Sequence, residues 1–456
     1  MYAFLTEFFT TPAILLGIVA LIGLIAQKKD LSGIIEGTIK TILGFLILSA
    51  GADLIVTNLA PFADIFVEGF GITGVVPFDE AVVGALSDSV AQIARTTALI
   101  IGFGFLVNVL VARITPFKYI FLTGHMMWIL AGGLSWALYD LGVSEVNTVI
   151  FGSILQGMIL TLLPALAQPL MNKVTGDNKI AYGHLTTIGV VASAYVGKFF
   201  GNTDKDSEDL ELPEGLSFFK DTAISVSFVM IIVYLVTVLF AGPAFVAEFA
   251  GDQNYILYGI LRGLGFAAGV LILLQGVRMF LAEIVPAFRG IAMKIVPGAK
   301  PALDVPVLFG YAPKALMIGF MFAVLGTLVG MGISTIFNTV VPVPSIIGAF
   351  FTGGVAGIFG NAVGGRRGAM VSGFVYGILL SVPVALFYPL YELVDYGVSG
   401  LAYLVSDGIT ALTLIKLFFV IGLPIVGLGI FIAVVIALSV LFRGSKHEEN
   451  PEAEQS

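Results

Sequence analysis

The chain has 456 residues, 58% of them hydrophobic and 11% charged, against roughly 25% charged in an ordinary soluble domain, which excludes a water-soluble globular enzyme. Its formal charge of −8 includes no run of Lys or Arg long enough to track a phosphate backbone, so nucleic acid is not expected as a partner. It has no cysteine, which excludes disulfides, iron–sulfur clusters, thiolate zinc sites and a cysteine phosphocarrier from this polypeptide.

Residues 1–11 lack the basic region and small-residue cleavage site of a secretory signal, so the first apolar run is expected to remain as a span. Apolar runs then centre on 12–27, 38–58, 94–113, 118–142, 146–170, 218–242, 254–285, 314–340, 343–362, 368–390 and 412–442. Each reaches the order of 20 residues that crosses about 30 Å of hydrocarbon. The expectation is an all-α polytopic membrane protein with nine to eleven crossings, inserted in a lipid bilayer. Several runs contain Gly, Pro or an acid, which predicts broken helices and re-entrant hairpins buried in protein. Glycines such as Gly353, Gly354, Gly357 and Gly360 suit close helix packing, or unwound backbone at a binding site.

Two polar islands interrupt the pattern. Residues 201–215 hold six acids against Lys205 alone and read as an aqueous linker between halves 1–200 and 216–442. Residues 443–456 form a polar, solvated tail. Lys and Arg flanking the spans, including Arg443 and Lys446, place that tail on the cytoplasmic side.

The halves echo one another. Gly44-Phe-Leu-Ile-Leu-Ser-Ala-Gly51 recurs as Gly269-Val-Leu-Ile-Leu-Leu-Gln-Gly276, an offset of 225. Phe121-Leu-Thr-Gly124 recurs as Phe350-Phe-Thr-Gly353, an offset of 229, and Pro77-x-x-Glu80 as Pro301-x-x-Asp304, an offset of 224. Three matches in one order suggest two repeats, expected as inverted repeats, with a solute held where they meet.

The chemistry-bearing residues follow from cost. Glu80 and Asp304 each follow a proline in an apolar stretch, where an unpaired carboxylate would cost several kcal/mol. They need water, a partner or a ligand, and paired acids suit the hydroxyls of a sugar or polyol. His125 and His184 each follow a glycine, and imidazole both donates and accepts; Thr186 lies two positions beyond His184. The alternatives are acids at aqueous helix ends and histidines bonded to backbone. Without cysteine or clustered carboxylates nearby, no metal site is expected. Arg278 and Glu283 stand five apart on one helix, off the spacing of an intrahelical pair, so each is expected to reach another helix. Arg366 and Arg367 are expected to face water, lipid phosphate or a partner. No P-loop, Rossmann fingerprint or nucleophile elbow occurs, and no cofactor is expected.

Glu36-Gly-Thr-Ile-Lys-Thr-Ile-Leu-Gly-Phe45, Leu122-Thr-Gly-His-Met126, Gln275-Gly-Val-Arg-Met-Phe-x-Ala-Glu283, Val296-Pro-Gly-Ala299 with Asp304, and Tyr311-Ala-Pro313 together resemble the membrane subunit, enzyme IIC, of the ascorbate-type bacterial phosphotransferase system. The resemblance implies a homodimer in the bacterial inner membrane. Each protomer would have about eleven transmembrane helices, divided between a V-motif domain and a core that moves like an elevator. It implies a sugar or polyol substrate phosphorylated by a separate enzyme IIB, itself charged by enzyme IIA. Adding about −1.5 to −2 charges would trap the solute inside. In ascorbate carriers of the family, carboxamides are expected where Ile129 and Leu185 stand, and an aromatic hydroxyl at Glu80; two acids suit a neutral sugar or polyol better. The expected substrate contacts are Glu80, His125, His184, Leu185, Thr186, Asp304, and the Thr352-Gly353 backbone at a re-entrant tip. The competing expectation is a proton- or ion-coupled carrier using Glu80 or Asp304.

Overall fold

The computed structural model describes residues 12–71, 74–77, 79–210, 222–294, 296–390, 393 and 401–402. The Glu80 side chain, linker residues 211–215, the 412–442 run and the tail lie outside the described residues.

Among the described residues, seven helices are long and apolar enough to cross a membrane. The chain is a multi-pass, all-α membrane protein. Helix α4 (Ala91–Ile114) shows why: Leu99, Phe103, Leu106 and Leu110 form an exposed apolar stripe, while Ile100, Gly104, Asn108 and Ala112 turn inward. The polarity of an ordinary soluble helix is reversed, because the solvent is hydrocarbon.

The helices group into two bodies. In the first, α1 (Pro12–Ala26), α2 (Leu31–Phe70), α8 (Thr222–Ala250) and α9 (Tyr255–Lys294) pack mainly on one another. Helices α2 and α9 each run 40 residues, longer than the apolar stretches suggested, because Asp30 caps the start of α2 and each tolerates an internal proline, Pro61 and Pro286. They cross antiparallel through glycines. A side chain at Gly51 would begin 2.3 Å from the Leu273 amide nitrogen, and one at Gly44 would begin 2.6 Å from that of Phe280. The contact of Gly44 with Phe280 reappears as Gly269 with Ile55, both members shifted by 225 positions. Glu283 approaches Lys40 of α2 at 4.0 Å, so one of the two charges noted in sequence does reach another helix, while Arg278 is exposed.

The second body holds α4 with α5 (Gly124–Asp140) and α6 (Glu145–Thr175), joined to α7 (Thr187–Phe200), α10 (Pro313–Ile336) and α11 (Gly354–Leu379). A turn at Ile346–Gly348 and a π-helical turn at Ala349–Gly353 lead into α11. The runs expected separately at 343–362 and 368–390 are separate arms: α11 reverses at Gly365, whose φ of 59° lies in the left-handed region, and the arms pack side by side, Gly360 against Gly368 and Ser372, and Gly357 and Gly373 both against Gly319.

Residues 201–210, the described part of the acidic linker, are exposed at Asn202 to Lys205 and Asp209 and are tied to the helices at both sides. Asn202 N–H donates to Gly364 O at 2.8 Å and Arg366 N–H to Lys205 O at 2.7 Å, while the Asn361 side chain accepts from Ser207 N–H at 2.9 Å and donates to Asp206 Oδ1 at 2.8 Å. The freed backbone at the α11 turn thus finds its partners in the linker. This also answers where Arg366 goes: its guanidinium reaches Asp206 O at 3.4 Å. Further along the linker, Glu208 Oε1 accepts the Ala315 N–H at 2.9 Å in the first turn of α10. The residue at the cap position, Ala312, has no side chain able to do this. Burial raises the Glu208 pKa, and the Ala315 and Lys314 N–H groups pull it back. Glu208→Ala should cost about 1 kcal/mol, the worth of a helix N-cap, and lower the thermal unfolding midpoint of the purified protein; an unchanged midpoint would remove the cap.

Short strands seat the loops between helices. β4 (Lys300–Leu303) lies between β2 (Tyr119–Phe121) and β3 (Ala181–Tyr182), all parallel, so a strand of the second half is central between two of the first. β1 (Val76–Pro77) pairs in parallel with β5 (Leu401–Ala402), and Val75 bridges Pro342, so a strand of the first half lies between two segments of the second.

Candidate functional site

The three-stranded sheet is the scaffold of the site. Its register aligns Phe121, Ala302 and Ala181 across the three strands. Immediately past their C-terminal ends come His125, Asp304 and His184, at the edge where open parallel sheets characteristically hold ligands. Leu122 N–H donates to Ala302 O at 2.9 Å and Gly183 N–H to Leu303 O at 2.8 Å, extending the pairing to the site itself. Gly183 is required there, because a side chain would begin 2.6 Å from Ala302 O. The Thr123 hydroxyl donates to Gly183 O, tying the two histidine loops together.

Both outer strands are closed by carboxamides. Asn108 of α4 accepts from Phe121 N–H at 3.0 Å and donates to Tyr119 O at 3.1 Å, replacing a fourth strand, and also donates to Thr161 at 2.7 Å. Gln168 of α6 donates to Ile180 O at 3.0 Å beside β3. Neither was singled out from sequence. The available signal was a carboxamide inside an apolar span, where its hydrogen bonds have to be met by protein.

At the centre, His125 Nδ1 lies 3.8 Å from Asp304 Oδ2, and His184 Nε2 lies 3.9 Å from Asp304 Oδ1. These separations are too long for hydrogen bonds among the three. The other sides are held. His184 Nδ1 meets the Thr186 hydroxyl at 2.8 Å, which meets Tyr182 OH at 3.1 Å, and Thr187 donates to His184 O at 2.6 Å. Asp304 Oδ1 accepts Val305 N–H at 2.7 Å, capping the 3₁₀ turn Val305–Leu308. The His184 side chain is 5% exposed, Asp304 25% and His125 44%, so the site opens past His125.

His184 and Asp304 lie in connections outside the membrane-crossing helices. Burial pushes the Asp304 carboxyl above its ordinary range, opposed by His125 and the Val305 N–H. Burial also holds the His184 imidazole well below its ordinary pKa, reinforced by His125.

The structure therefore brings His125, His184, Thr186 and Asp304 together. Leu185 is buried in an apolar cluster with Met126 and Ile129. Val82, Val83 and Leu86 of α3 (Asp79–Ser89) join the same cluster, so the backbone carrying Glu80 packs nearby. Thr352 and Gly353 are not at an open hairpin tip. They lie in the π-helical turn, where the Thr352 hydroxyl donates to Gly348 O at 2.7 Å and Gly353 packs on Ala323. Ser345 caps the turn that follows the Pro342 bridge, as Thr123 precedes α5 after β2; Thr352 and Gly353 fall more than one helical turn further along.

The family described as EIIC-GAT, PTS system sugar-specific permease component, matches residues 7–422. A protein of Mycoplasma pneumoniae named "Ascorbate-specific PTS system EIIC component" is 27% identical over 434 residues, which cover 82% of this chain. The chain spans 64% of that relative's length.

Proposed function

The chain belongs to the family of sugar-specific permease components of the phosphotransferase system, and from that premise we propose that it carries ascorbate or a related sugar or polyol across the bacterial cell membrane, coupled to phosphorylation by a separate enzyme IIB. One observation carries the reading: His125, His184 and Asp304 converge at the ends of three parallel strands with donor and acceptor positions free to face a hydroxylated solute. Thr186 sets the His184 ring, and Glu80, of the half that carries both histidines, is the second acid of this reading. The apolar pair Ile129 and Leu185 replaces the carboxamides expected in ascorbate carriers, which favours a solute with fewer acceptors on that side.

Two repeats meeting at the substrate are supported by the paired glycine contacts of α2 and α9, and by sheets that each take their central strand from the opposite half. Helices grouped into two bodies support a core sliding against a scaffold as a homodimeric elevator. The enzyme IIB partner follows from the chemistry. With no cysteine of its own, this chain needs an external phosphoryl donor to trap the solute.

The test is uptake of labelled ascorbate, pentitols and hexitols in cells with and without the partner enzyme IIB. Phosphorylated solute should accumulate only with the partner. Accumulation unchanged by its loss, and driven instead by a pH gradient in vesicles, would reject the coupling in favour of a proton-linked carrier using the partly buried Asp304.

A further inference from the structure

The three side chains at the end of the sheet are two imidazoles and one carboxylate, and their ligand atoms all lie within 4.8 Å of one another. Sequence alone carried no expectation of a metal here. There, the absence of cysteine and of neighbouring carboxylates argued against a metal, but the ligands come from positions 125, 184 and 304 and meet only through strand pairing. We propose that His125, His184 and Asp304 form a binding site for a divalent transition-metal ion of the zinc class, and that such an ion and the transported solute exclude one another.

The donor set is that of a two-histidine, one-carboxylate site, which leaves coordination positions open to water. Ligand atoms around tetrahedral zinc, at bond lengths near 2.1 Å, stand about 3.4 Å apart. Here His125 and His184 stand 3.8 and 3.9 Å from Asp304, so small side-chain rotations close the set. Outer contacts already orient it, as in established metal sites. Thr186 holds His184 Nδ1 so that Nε2 faces Asp304, and Val305 N–H holds the carboxylate. His125, the most exposed of the three, sits at the entrance and has the freedom to close over an ion. Imidazole donors favour zinc, nickel or cobalt over magnesium, which prefers oxygen.

Competition follows because the lone pairs that would hold the metal are those proposed to accept solute hydroxyls. The metal site shares residues with the transport reading but does not depend on which solute is carried. The experiment is zinc binding to the purified full chain by titration calorimetry, with solute binding measured separately in chelator. Wild type should take up one zinc reversibly and ignore magnesium. His125→Ala and His184→Ala should each weaken zinc binding at least tenfold, and Thr186→Val should weaken it by about ten- to a hundredfold through loss of orientation. His447→Ala, in the acidic tail, should leave it unchanged, and elution as one symmetric species certifies that each variant is folded. Zinc should raise the apparent KM for uptake without changing the maximal rate. No saturable zinc binding, or binding equal in wild type and the two histidine variants, would overturn the metal site; zinc binding that leaves solute affinity untouched would overturn the shared site. Failure of every sugar to bind in chelator, with zinc binding intact, would count against the transport reading alone.

Discussion

Asp304→Asn should weaken solute binding about ten- to a hundredfold while the protein remains folded. A hydrogen bond to a charged acceptor is worth about 1.5–3 kcal/mol, and asparagine keeps the shape of the side chain while losing that charge. The Val305 N–H at 2.7 Å retains an oxygen partner, so the 3₁₀ turn after β4 should persist. The pH dependence sharpens the test. Burial raises the Asp304 pKa, so as pH falls the carboxylate is lost as an acceptor above the range where an ordinary aspartate titrates. Wild-type binding should weaken there, and Asp304→Asn should lack that step. Equilibrium binding across pH reads both effects, and identical affinities for the two proteins would remove Asp304 from the site.

Gly51→Leu should prevent assembly of the long-helix body. The first side-chain atom would begin 2.3 Å from the Leu273 amide nitrogen, and backbone in a paired helix cannot swing aside as a flexible side chain can. Overpacking a core typically costs about 1–3 kcal/mol, and here most of the leucine must still be accommodated after the first clash. Gly102→Ala is the matched control. It lies on α4 with no atom within 4 Å of the added carbon, so it should be neutral or slightly stabilising, as alanine is in helices. The fraction of monodisperse protein after detergent extraction distinguishes the two variants; equal yields would contradict the close crossing of α2 and α9.

Membrane character was legible because hydrocarbon acts on every residue of a span alike, so length and apolarity are written locally. The candidate chemistry was partly legible for a related reason: an ionisable group in an apolar stretch is costly, and Asp304, His125 and His184 stood out on that ground. Their supports were harder to see. Asn108 and Gln168 are ordinary polar residues in apolar helices until the strand edges they close are known. Thr352 and Gly353 illustrate the opposite case. The family resemblance suggested backbone amides at a re-entrant tip, but both residues lie within a π-helical turn, which also uses the Thr352 hydroxyl internally. In the described part of the linker, Asn202 to Lys205 and Asp209 are exposed, as six acids imply, while Asp206, Ser207 and Glu208 are held by the α11 turn and the start of α10, contacts that composition does not reveal.

By itself the sequence determined a helical membrane protein, a doubled pattern and a short roster of groups too polar for their surroundings. Tertiary structure alone decided that three of those groups meet. His125 and Asp304 lie 179 positions apart (304 − 125) and come within 3.8 Å because β2 and β4 pair in one register. That register is set by backbone hydrogen bonds that must be satisfied away from water, and backbone groups are the same in every residue, so side-chain patterning leaves no trace of which strands will pair.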